Sequence, residues 1–286
     1  MKIIPLASES MGTRSMATYV ETRSCRILID PGAAIAQFRY GLEPHDMEKW
    51  CLKKHKERIL MFSHSTEIII ITHYHYDHFI HDDPELYRNK WLLLKNPNQK
   101  INISQRHRAF EFIRSIKSVA GDISFIDGRS ISEGDTVLKF SSPSPHGIEE
   151  KGSFVVQTFC GEDDDGFLFT SDLQGLWHKD AIDFISSCSP DTLYLDGPIT
   201  YIQGDGSLSE LLERTNDELC SIIGKSWIKR IIIDHHLLRD IKWEEKIRPV
   251  FSLAKKRGVS ITTAAEFRGE TNNLLEARRD QLYKKM

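Results

Sequence analysis

The chain has few cysteines, and their spacing gives them no evident role. Its 286 residues contain five cysteines, all far apart and none in a CxxC pair. A disulfide framework needs paired cysteines and a thiolate zinc site needs closely spaced ones, so neither is predicted. The cysteines are instead expected to be small, buried apolar residues.

Long apolar runs and an excess of charge are missing as well. No stretch approaches about 18 uninterrupted apolar residues, and the opening MKIIPLASESMGTRS lacks the apolar centre of a signal peptide. The formal net charge is −3, with acidic and basic residues interspersed, so there is no clear nucleic-acid patch. We therefore expect a cytoplasmic globular protein with no membrane segment, and the oligomeric state is not predicted.

The order of strand and helix patterns favours the α/β class. The β-branched run EIIII (67–71) predicts a strand buried on both faces, and RIIID (230–234) has the same form in the second half. Strands alternate with helices at both ends of the chain, whereas the middle is antiparallel in character, with GEDDDG (161–166) as a hairpin turn. Two sheets with helices outside both is the simplest such architecture. Helices are predicted near 43–61, 104–118, 178–187, 207–223, 241–257 and 273–285.

The segment THYHYDHFIHDD (72–83) directly follows the first buried strand. His73 and His75 are two residues apart, so an extended chain projects both to one side, where they can bind one cation. Asp77 and His78 follow where the chain bends and can reach a second cation. Tyr74 and Tyr76 are then expected to point away from the site, and His81, Asp82 and Asp83 to be solvated loop residues.

Other strand ends carry residues of the same type. Ligands gather outside the carboxyl ends of strands in open α/β sheets, and four further segments place metal-binding side chains there. A lone His146 is more typical of a loop and Asp172 of a helix N-cap, but the histidine cluster favours both as ligands. These strand-end residues are Asp30 after CRILI, His146 after FSSPSP, Asp172 after FLFTS, and His235 with His236 after RIIID.

The pair after RIIID holds one ligand and one neighbour or proton carrier. His235 is preferred as the ligand, because IIIDHH aligns in form with IIITHYH, where the first histidine after the polar residue is a ligand. His236 is the alternative. One turn beyond, Arg239 and Lys242 could meet an anionic substrate, but solvent-facing positions at a helix start are the preferred interpretation.

These residues resemble the metallo-β-lactamase superfamily, and the resemblance covers nearly the whole chain. HYHYDH with a downstream strand-end His, Asp and His carries it. The chain looks closest to one archaeal group of metallo-β-lactamase-fold proteins, to which the resemblance attaches no biochemical role. The likeness to that group rests on MKIIPLASESMGTRSMATYVET, LIDPG, the YGL near residue 40, INISQRHRAF, DGPITY and DHHLLRD.

The resemblance implies an αββα sandwich of two mixed sheets packed face to face, as a single domain over residues 1–286. It also implies a dinuclear metal site, with Asp172 between the two ions and Asp30 supporting the ligands by hydrogen bonds from behind. One ion would take His73, His75 and His146, and the other Asp77, His78 and His235.

The chain departs from the superfamily pattern in ways that narrow the chemistry. Phe79, Ile80 and His81 replace the Gly-Gly that often follows HxHxDH, so the loop leaving the site is expected to differ. The extra domain of the RNA-processing exonucleases has no room between Asp172 and His235. Position 75 lacks the glutamate of the di-iron redox members, and no flavodoxin-like partner domain is present. The last two absences favour hydrolysis over oxygen reduction.

We therefore predict a metal-dependent hydrolase with two divalent ions, zinc being preferred over iron or manganese, and a metal-bridging hydroxide. No GxSxG nucleophile is present, and proton transfer to the leaving group is assigned to Asp77, His236 or water. The substrate is expected to be a small molecule or nucleotide, with a phosphodiester favoured over a lactone, ester or thioester. The alternatives are a mononuclear iron oxygenase of sulfur compounds and a metal-stabilised binding protein without turnover.

Overall fold

Two large mixed sheets form the centre of the protein. The computed structural model describes residues 1–148, 152–202 and 207–284. The first sheet runs β1-β2-β3-β4-β5-β6, in chain order, and its last four strands are parallel. Its strands are β1 (Lys2–Pro5), β2 (Thr18–Glu21), β3 (Arg26–Ile29), β4 (Ile68–Ile71), β5 (Trp91–Leu94) and β6 (Asp122–Phe125).

The second sheet repeats this plan with the later strands. Its order is β15-β14-β13-β12-β11-β8-β7, and β12 to β15 are parallel, while β9 and β10 form a separate two-stranded ribbon. These strands are β7 (Ser130–Glu133), β8 (Thr136–Phe140), β9 (Ser144–Pro145), β10 (Phe154–Val155), β11 (Thr158–Glu162), β12 (Asp165–Phe169), β13 (Thr192–Asp196), β14 (Arg230–Asp234) and β15 (Ser260–Thr262).

Helices cover the outer face of each sheet. In the described part of the chain, short 3-10 helices accompany them at Glu9–Met11, Pro84–Tyr87 and His235–Arg239. The α-helices are α1 (Asp46–Ser63), α2 (Ile103–Ile116), α3 (Lys179–Cys188), α4 (Ser207–Ile223), α5 (Trp243–Lys246), α6 (Arg248–Arg257), α7 (Ala264–Phe267) and α8 (Arg279–Lys284).

The β4 strand shows why a continuous apolar run belongs in the centre. Its four isoleucines are all buried, and β3 and β5 pair with it on either side. Successive side chains point to opposite faces. Ile68 and Ile70 therefore pack in the core between the two sheets, whereas Ile69 and Ile71 pack in the core shared with Phe112 of α2. Burial on both faces is what the sequence pattern predicts, and the αββα sandwich is confirmed.

Two predicted helices are wrong in extent, and two strands were not predicted. The predicted helix over 241–257 is divided at Ile247 into α5 and α6, because a proline near the start of α6 cannot continue a preceding helix. The predicted helix over 273–285 becomes helical only at Arg279. The strands β1 and β7 are short and lie at sheet edges, where little apolar burial marks them in the sequence. The GEDDDG hairpin turn is confirmed between β11 and β12.

Candidate metal centre

Asp172 lies at the centre of a buried group of histidines. Its two carboxylate oxygens face different members of that group. Oδ1 is 3.2 Å from His78 Nε2 and 3.0 Å from His235 Nε2. On the other side, Oδ2 is 3.4 Å from His73 Nε2, 3.7 Å from His75 Nδ1 and 3.8 Å from His146 Nδ1. The division matches the two ligand sets implied by the resemblance.

Asp77 lies on the Oδ1 side of this group. Its Oδ2 is 3.7 Å from His235 Nε2, and Asp77, His78 and His235 bring ligand atoms within 4.8 Å of one another. His73, His75 and Asp172 form another such set, as do His146, Asp172 and His236. Every residue predicted to bind metal is therefore brought to one place, at the carboxyl ends of strands from both sheets.

Buried polar atoms without partners support a cation at this place. His78 Nε2 and Asp172 Oδ1, which face the cluster, are buried and lack a hydrogen-bond partner among the described residues, as does His235 Nδ1, which faces Glu9 on the other side of its ring. Each such atom costs about 1–3 kcal/mol unless something satisfies it. The donor set of imidazole nitrogens and carboxylate oxygens suits zinc, iron or manganese. The first two of these atoms face each other at the junction of the predicted ligand sets, so the donor set fits a resident metal.

Asp30 holds His78 from behind. Its Oδ2 lies 2.8 Å from His78 Nδ1, and its Oδ1 accepts a hydrogen bond of 2.8 Å from the backbone N–H of Thr72. Asp30 follows β3 with a φ of +46°, which turns its carboxylate under the neighbouring strand end. A carboxylate on one ring nitrogen fixes the orientation of the other, so His78 Nε2 is aimed at Asp172.

Burial and charge act against each other in this group. Burial favours the neutral form of Asp172, but His78 and His235 hold its pKa well below the usual range. Burial also favours neutral His78, yet the facing carboxylates of Asp172 and Asp30 raise the pKa of its imidazole well above 6.5. Burial and the nearby His78 lower the pKa of His73. These shifts favour the carboxylate form of Asp172 and the protonated form of the neighbouring His78 imidazole.

The two histidines after β14 have different surroundings. His235 has a φ of +63°, and its Nε2 faces Asp172, with Nη2 of Arg239 at 3.2 Å. His236 instead places Nδ1 against the Asp196 carboxylate at 3.0 Å and Nε2 beside Gln174. His235 thus lies with Asp77 and His78, whereas His236 lies at the cavity wall, within reach of His146 and Asp172.

A cavity of about 310 Å³ opens onto the cluster. His75, Asp77, His146, Asp172 and His236 all reach its surface. Its remaining lining is formed by Arg14, Ala34, Ile35, Tyr76, Arg108 and Arg239. Solvent and a small ligand therefore have access to the metal-binding atoms from this one side.

Two orientations predicted from the sequence are wrong. Tyr76 does not face away, because the chain turns after His75 and strand alternation ends, so its ring lies at the cavity rim. Arg239 is not solvent-facing, because its 3-10 turn folds it inward, where its Nε donates to buried Glu9 at 3.1 Å. Tyr74 is buried away from the cavity as predicted, and Lys242 is exposed. No helix begins near Asp172, which removes the N-cap alternative.

Sequence reasoning missed several residues that contact the cluster. Asp196 follows TLYL just as the predicted aspartates follow their strands, so the same strand-end pattern could have found it. Gln105 Nε2 donates to His75 Nε2 at 3.1 Å, and Gln174 Nε2 lies between His146 Nε2 and His236 Nε2, at 3.0 and 3.3 Å. No local signal marks either glutamine, because their approach depends on how α2 and the loop after β12 pack.

Solved structures of the same fold cover nearly the whole chain. The metallo-β-lactamase-fold protein YhfI from Bacillus subtilis superposes with a TM-score of 0.53 at 11% identity, covering 95% of this chain and 96% of its own. An isothiocyanate hydrolase from Delia radicum gut bacteria gives 0.52 at 15%, covering 92% and 96%. Unliganded yeast PDE1 gives 0.57 at 11%, covering 91% and 96%. The fold of this chain is therefore shared with these proteins.

No helix among the described residues is long and apolar enough to cross a bilayer.

Sequence relatives identify the family of this chain, although no family model matches it. A UPF0282 protein of Sulfurisphaera tokodaii is 42% identical over 291 residues, covering 100% of this chain and 94% of that protein. One from Methanocaldococcus jannaschii is 42% identical over 293 residues, covering 99% and 96%. The chain therefore belongs to the archaeal UPF0282 family and has the fold of the metallo-β-lactamases.

Proposed function

We propose that this protein is a dinuclear metal-dependent hydrolase, with zinc preferred in both positions. The main support for this proposal is that different histidines face the two carboxylate oxygens of Asp172. A carboxylate shared by two ions would need a separate set of ligands on each side. His73, His75 and His146 would hold one ion and Asp77, His78 and His235 the other. Two divalent ions at such a centre supply an acidified water and neutralise charge developing on the group that is cleaved.

The protein's own residues set the geometry around that chemistry. Asp30 fixes His78, and Gln105 contacts His75, so two of the ligands are oriented by buried partners. His236 lines the cavity, its Nε2 lies 3.3 Å from Gln174 Nε2, and Asp196 orients its ring, which supports a role for this imidazole in proton transfer to the leaving group. We assign His236 and Asp77 to contact with the reacting group, because both reach the cavity surface.

The cavity supports a phosphodiester as the scissile bond. Arg14, Arg108 and Arg239 line it, and Glu276 and Glu9 pair with only the first and the last of these, so positive charge remains beside the cluster. A lactone or neutral thioester offers such a charge no counterpart, whereas an anionic phosphodiester does. A cavity of about 310 Å³ is of a size for a small molecule or one nucleotide unit. Both sheets contribute ligands, which supports one working domain over residues 1–286.

Metal analysis with a substrate panel tests this proposal. The protein is purified without added metal, its ions are counted by elemental analysis, and the same sample is assayed on phosphodiester, lactone, ester and thioester substrates. We expect two divalent ions per chain and turnover on the phosphodiester. His73→Ala should lose both metal and turnover, whereas His107→Ala, an exposed position on α2, should lose neither. If elemental analysis found one tightly held iron per chain and the protein consumed oxygen, the proposal of a hydrolase would be wrong and an oxygenase would take its place. Full metal binding without turnover would favour a binding protein.

The choice between His235 and His236 is tested by separate alanine variants. His235→Ala should release one of the two ions, because its Nε2 faces both Asp172 and Asp77. His236→Ala should keep both ions and lose turnover. The reverse pattern of metal loss would make His236 the ligand and remove it from contact with the leaving group.

A further inference from the structure

Three arginines from distant parts of the chain line the cavity above the candidate metal centre. Arg14 follows β1, Arg108 lies on α2, and Arg239 ends the turn after β14. Guanidinium groups are the side chains best suited to hold phosphate or carboxylate groups through paired hydrogen bonds. The fold of the two sheets does not require these three side chains to meet at one cavity. Their meeting therefore indicates a candidate binding site for an anionic group.

Two of these arginines are held rigidly by buried carboxylates. Arg14 donates from Nε and Nη2 to both oxygens of Glu276, at 2.6 and 2.7 Å. Arg239 donates from Nε to Glu9 at 3.1 Å, and both of these side chains are buried. Fixing a guanidinium before a ligand arrives reduces the entropy lost on binding. The guanidinium groups of Arg14 and Arg239 are therefore held in place at the cavity wall before a ligand arrives.

Arg108 differs because its charge is not compensated by a neighbour. Its Nη1 donates to the backbone oxygen of Tyr74 at 3.3 Å, and its guanidinium lies 4.7 Å from the centre of the Tyr76 ring. Among the residues that the structure describes, it forms no ion pair with a carboxylate. A half-buried guanidinium at the mouth of a cavity, without a carboxylate beside it among the described residues, is a site for an anionic ligand group.

We propose that the substrate carries a second anionic group, a phosphate, beside the bond that is cleaved, and that Arg108 binds it together with Arg14. The inference rests on the proposed hydrolase function, in which the metal centre itself takes the scissile phosphodiester. Donors that arrive from separate segments suit a tetrahedral phosphate, whose oxygens point in several directions. A carboxylate presents two oxygens in one plane and would use one guanidinium fork.

Paired substrates with one scissile bond provide the kinetic test. Thymidine 5′-(4-nitrophenyl phosphate) and its 3′-phosphorylated form release the same 4-nitrophenolate, and only the second has an additional phosphate. We expect the 3′-phosphate to lower KM by about tenfold or more, a typical effect of one charge-assisted contact. Arg108→Gln should abolish this difference between the two substrates, and Arg108→Lys should retain part of it. Arg106→Gln, an exposed position on the same helix, should keep the full difference.

Direct anion binding separates this inference from the hydrolase proposal. Inorganic phosphate is titrated calorimetrically into protein stripped of metal by a chelator, so that binding does not depend on bound ions or on turnover. Arg108→Gln should weaken phosphate binding about tenfold relative to Arg106→Gln. Phosphate binding that depends on Arg108, in a protein without activity on any panel substrate, would overturn the hydrolase and keep the anion site. Equal phosphate binding by the two variants would overturn the anion site, and tighter binding of succinate than of phosphate would overturn its assignment to phosphate.

Discussion

Nδ1 of His236 lies 3.0 Å from both carboxylate oxygens of Asp196, and the backbone N–H of His236 donates to the same carboxylate at 3.1 Å. Asp196 ends β13, and His236 lies just beyond the end of β14, which is parallel to β13 and adjacent to it. One carboxylate thus fixes both the main chain and the ring of this histidine. The parallel pairing of the two strands delivers an oriented imidazole to the cavity wall.

Asp196→Asn should therefore reduce turnover without removing metal. The amide fills the same space but presents N–H to Nδ1, which disturbs the ring orientation and tautomer of His236. We expect kcat to fall by about tenfold to a hundredfold with two ions still bound, as measured by steady-state kinetics and elemental analysis. Asp217→Asn on the exposed side of α4 serves as the control. Loss of an ion from Asp196→Asn would instead identify His236 as a ligand.

The metal cluster was readable from the sequence because its signals are local. A buried β-branched run ends at Thr72 and the ligands follow within seven positions, so strand geometry alone sets His73 and His75 on one side. The same rule failed at Tyr76, where the chain turns and a period of two no longer applies. Sequence spacing predicts side-chain direction only while the backbone conformation persists.

The arginines around the cavity were beyond sequence reasoning for a different reason. Arg239 is turned inward by Glu9, a partner 230 positions away, and Arg108 reaches the cavity only because α2 packs beside β4 and the Tyr76 loop. Neither contact leaves a local pattern in the chain. The residues of the His/Asp cluster could thus be predicted, whereas the arginines of the cavity required the packed structure.

Gly32→Ala should damage the metal site through the backbone. A Cβ at Gly32 would lie 2.2 Å from the backbone nitrogen of Phe79 and 2.6 Å from that of His78, so the ligand segment would have to move. We expect a loss of about 1–3 kcal/mol in the free energy of unfolding, together with weaker metal binding. Chemical denaturation of metal-free protein and a metal titration measure the two effects separately.

Gly41→Ala provides the contrast for this variant. A Cβ at Gly41 meets nothing within 4 Å, although its φ of +75° still disfavours a side chain. We expect a loss of about 1 kcal/mol in the free energy of unfolding and unchanged metal binding. If both glycine variants bound metal equally well, close approach at Gly32 would not be what positions His78.

Arg279→Met should be strongly destabilising. Arg279 is fully buried, donates to both oxygens of Glu48 at 2.8 and 2.7 Å, and also donates to the backbone oxygens of Ala36 and Leu42. Removing it leaves the buried Glu48 carboxylate without a charged partner, with only the backbone N–H of His45 still donating to it at 2.9 Å, which costs about 3–5 kcal/mol. Arg279→Met with Glu48→Gln should recover part of that loss. In urea denaturation, the exposed pair Arg88 and Glu85 gives the comparison, because Arg88→Met should cost less than about 1 kcal/mol.

His55 should make stability depend on pH between about 4 and 6.5. Burial, with Arg58 and Arg268 nearby, lowers the pKa of its imidazole from 6.5 to about 4 in the folded protein. As pH falls through this window, His55 takes up a proton in the unfolded chain but stays neutral in the folded protein. The free energy of unfolding therefore decreases by about 3 kcal/mol over the window. It is regained as pH rises from 4 back to 6.5, and above that pH His55 adds no further change.

Replacing His55 isolates this effect from the other titrating groups. In His55→Gln the decrease between pH 6.5 and 4 should be smaller than in the parent protein by about 3 kcal/mol, measured by denaturation of metal-free samples. His64→Gln, an exposed position just after α1, should leave the pH profile unchanged. Nδ1 of His55 is hydrogen-bonded to the Thr13 hydroxyl at 2.7 Å, so the glutamine variant loses stability at neutral pH as well. A parallel shift of the whole curve, with the slope below pH 6.5 retained, would mean that another group carries the acid sensitivity.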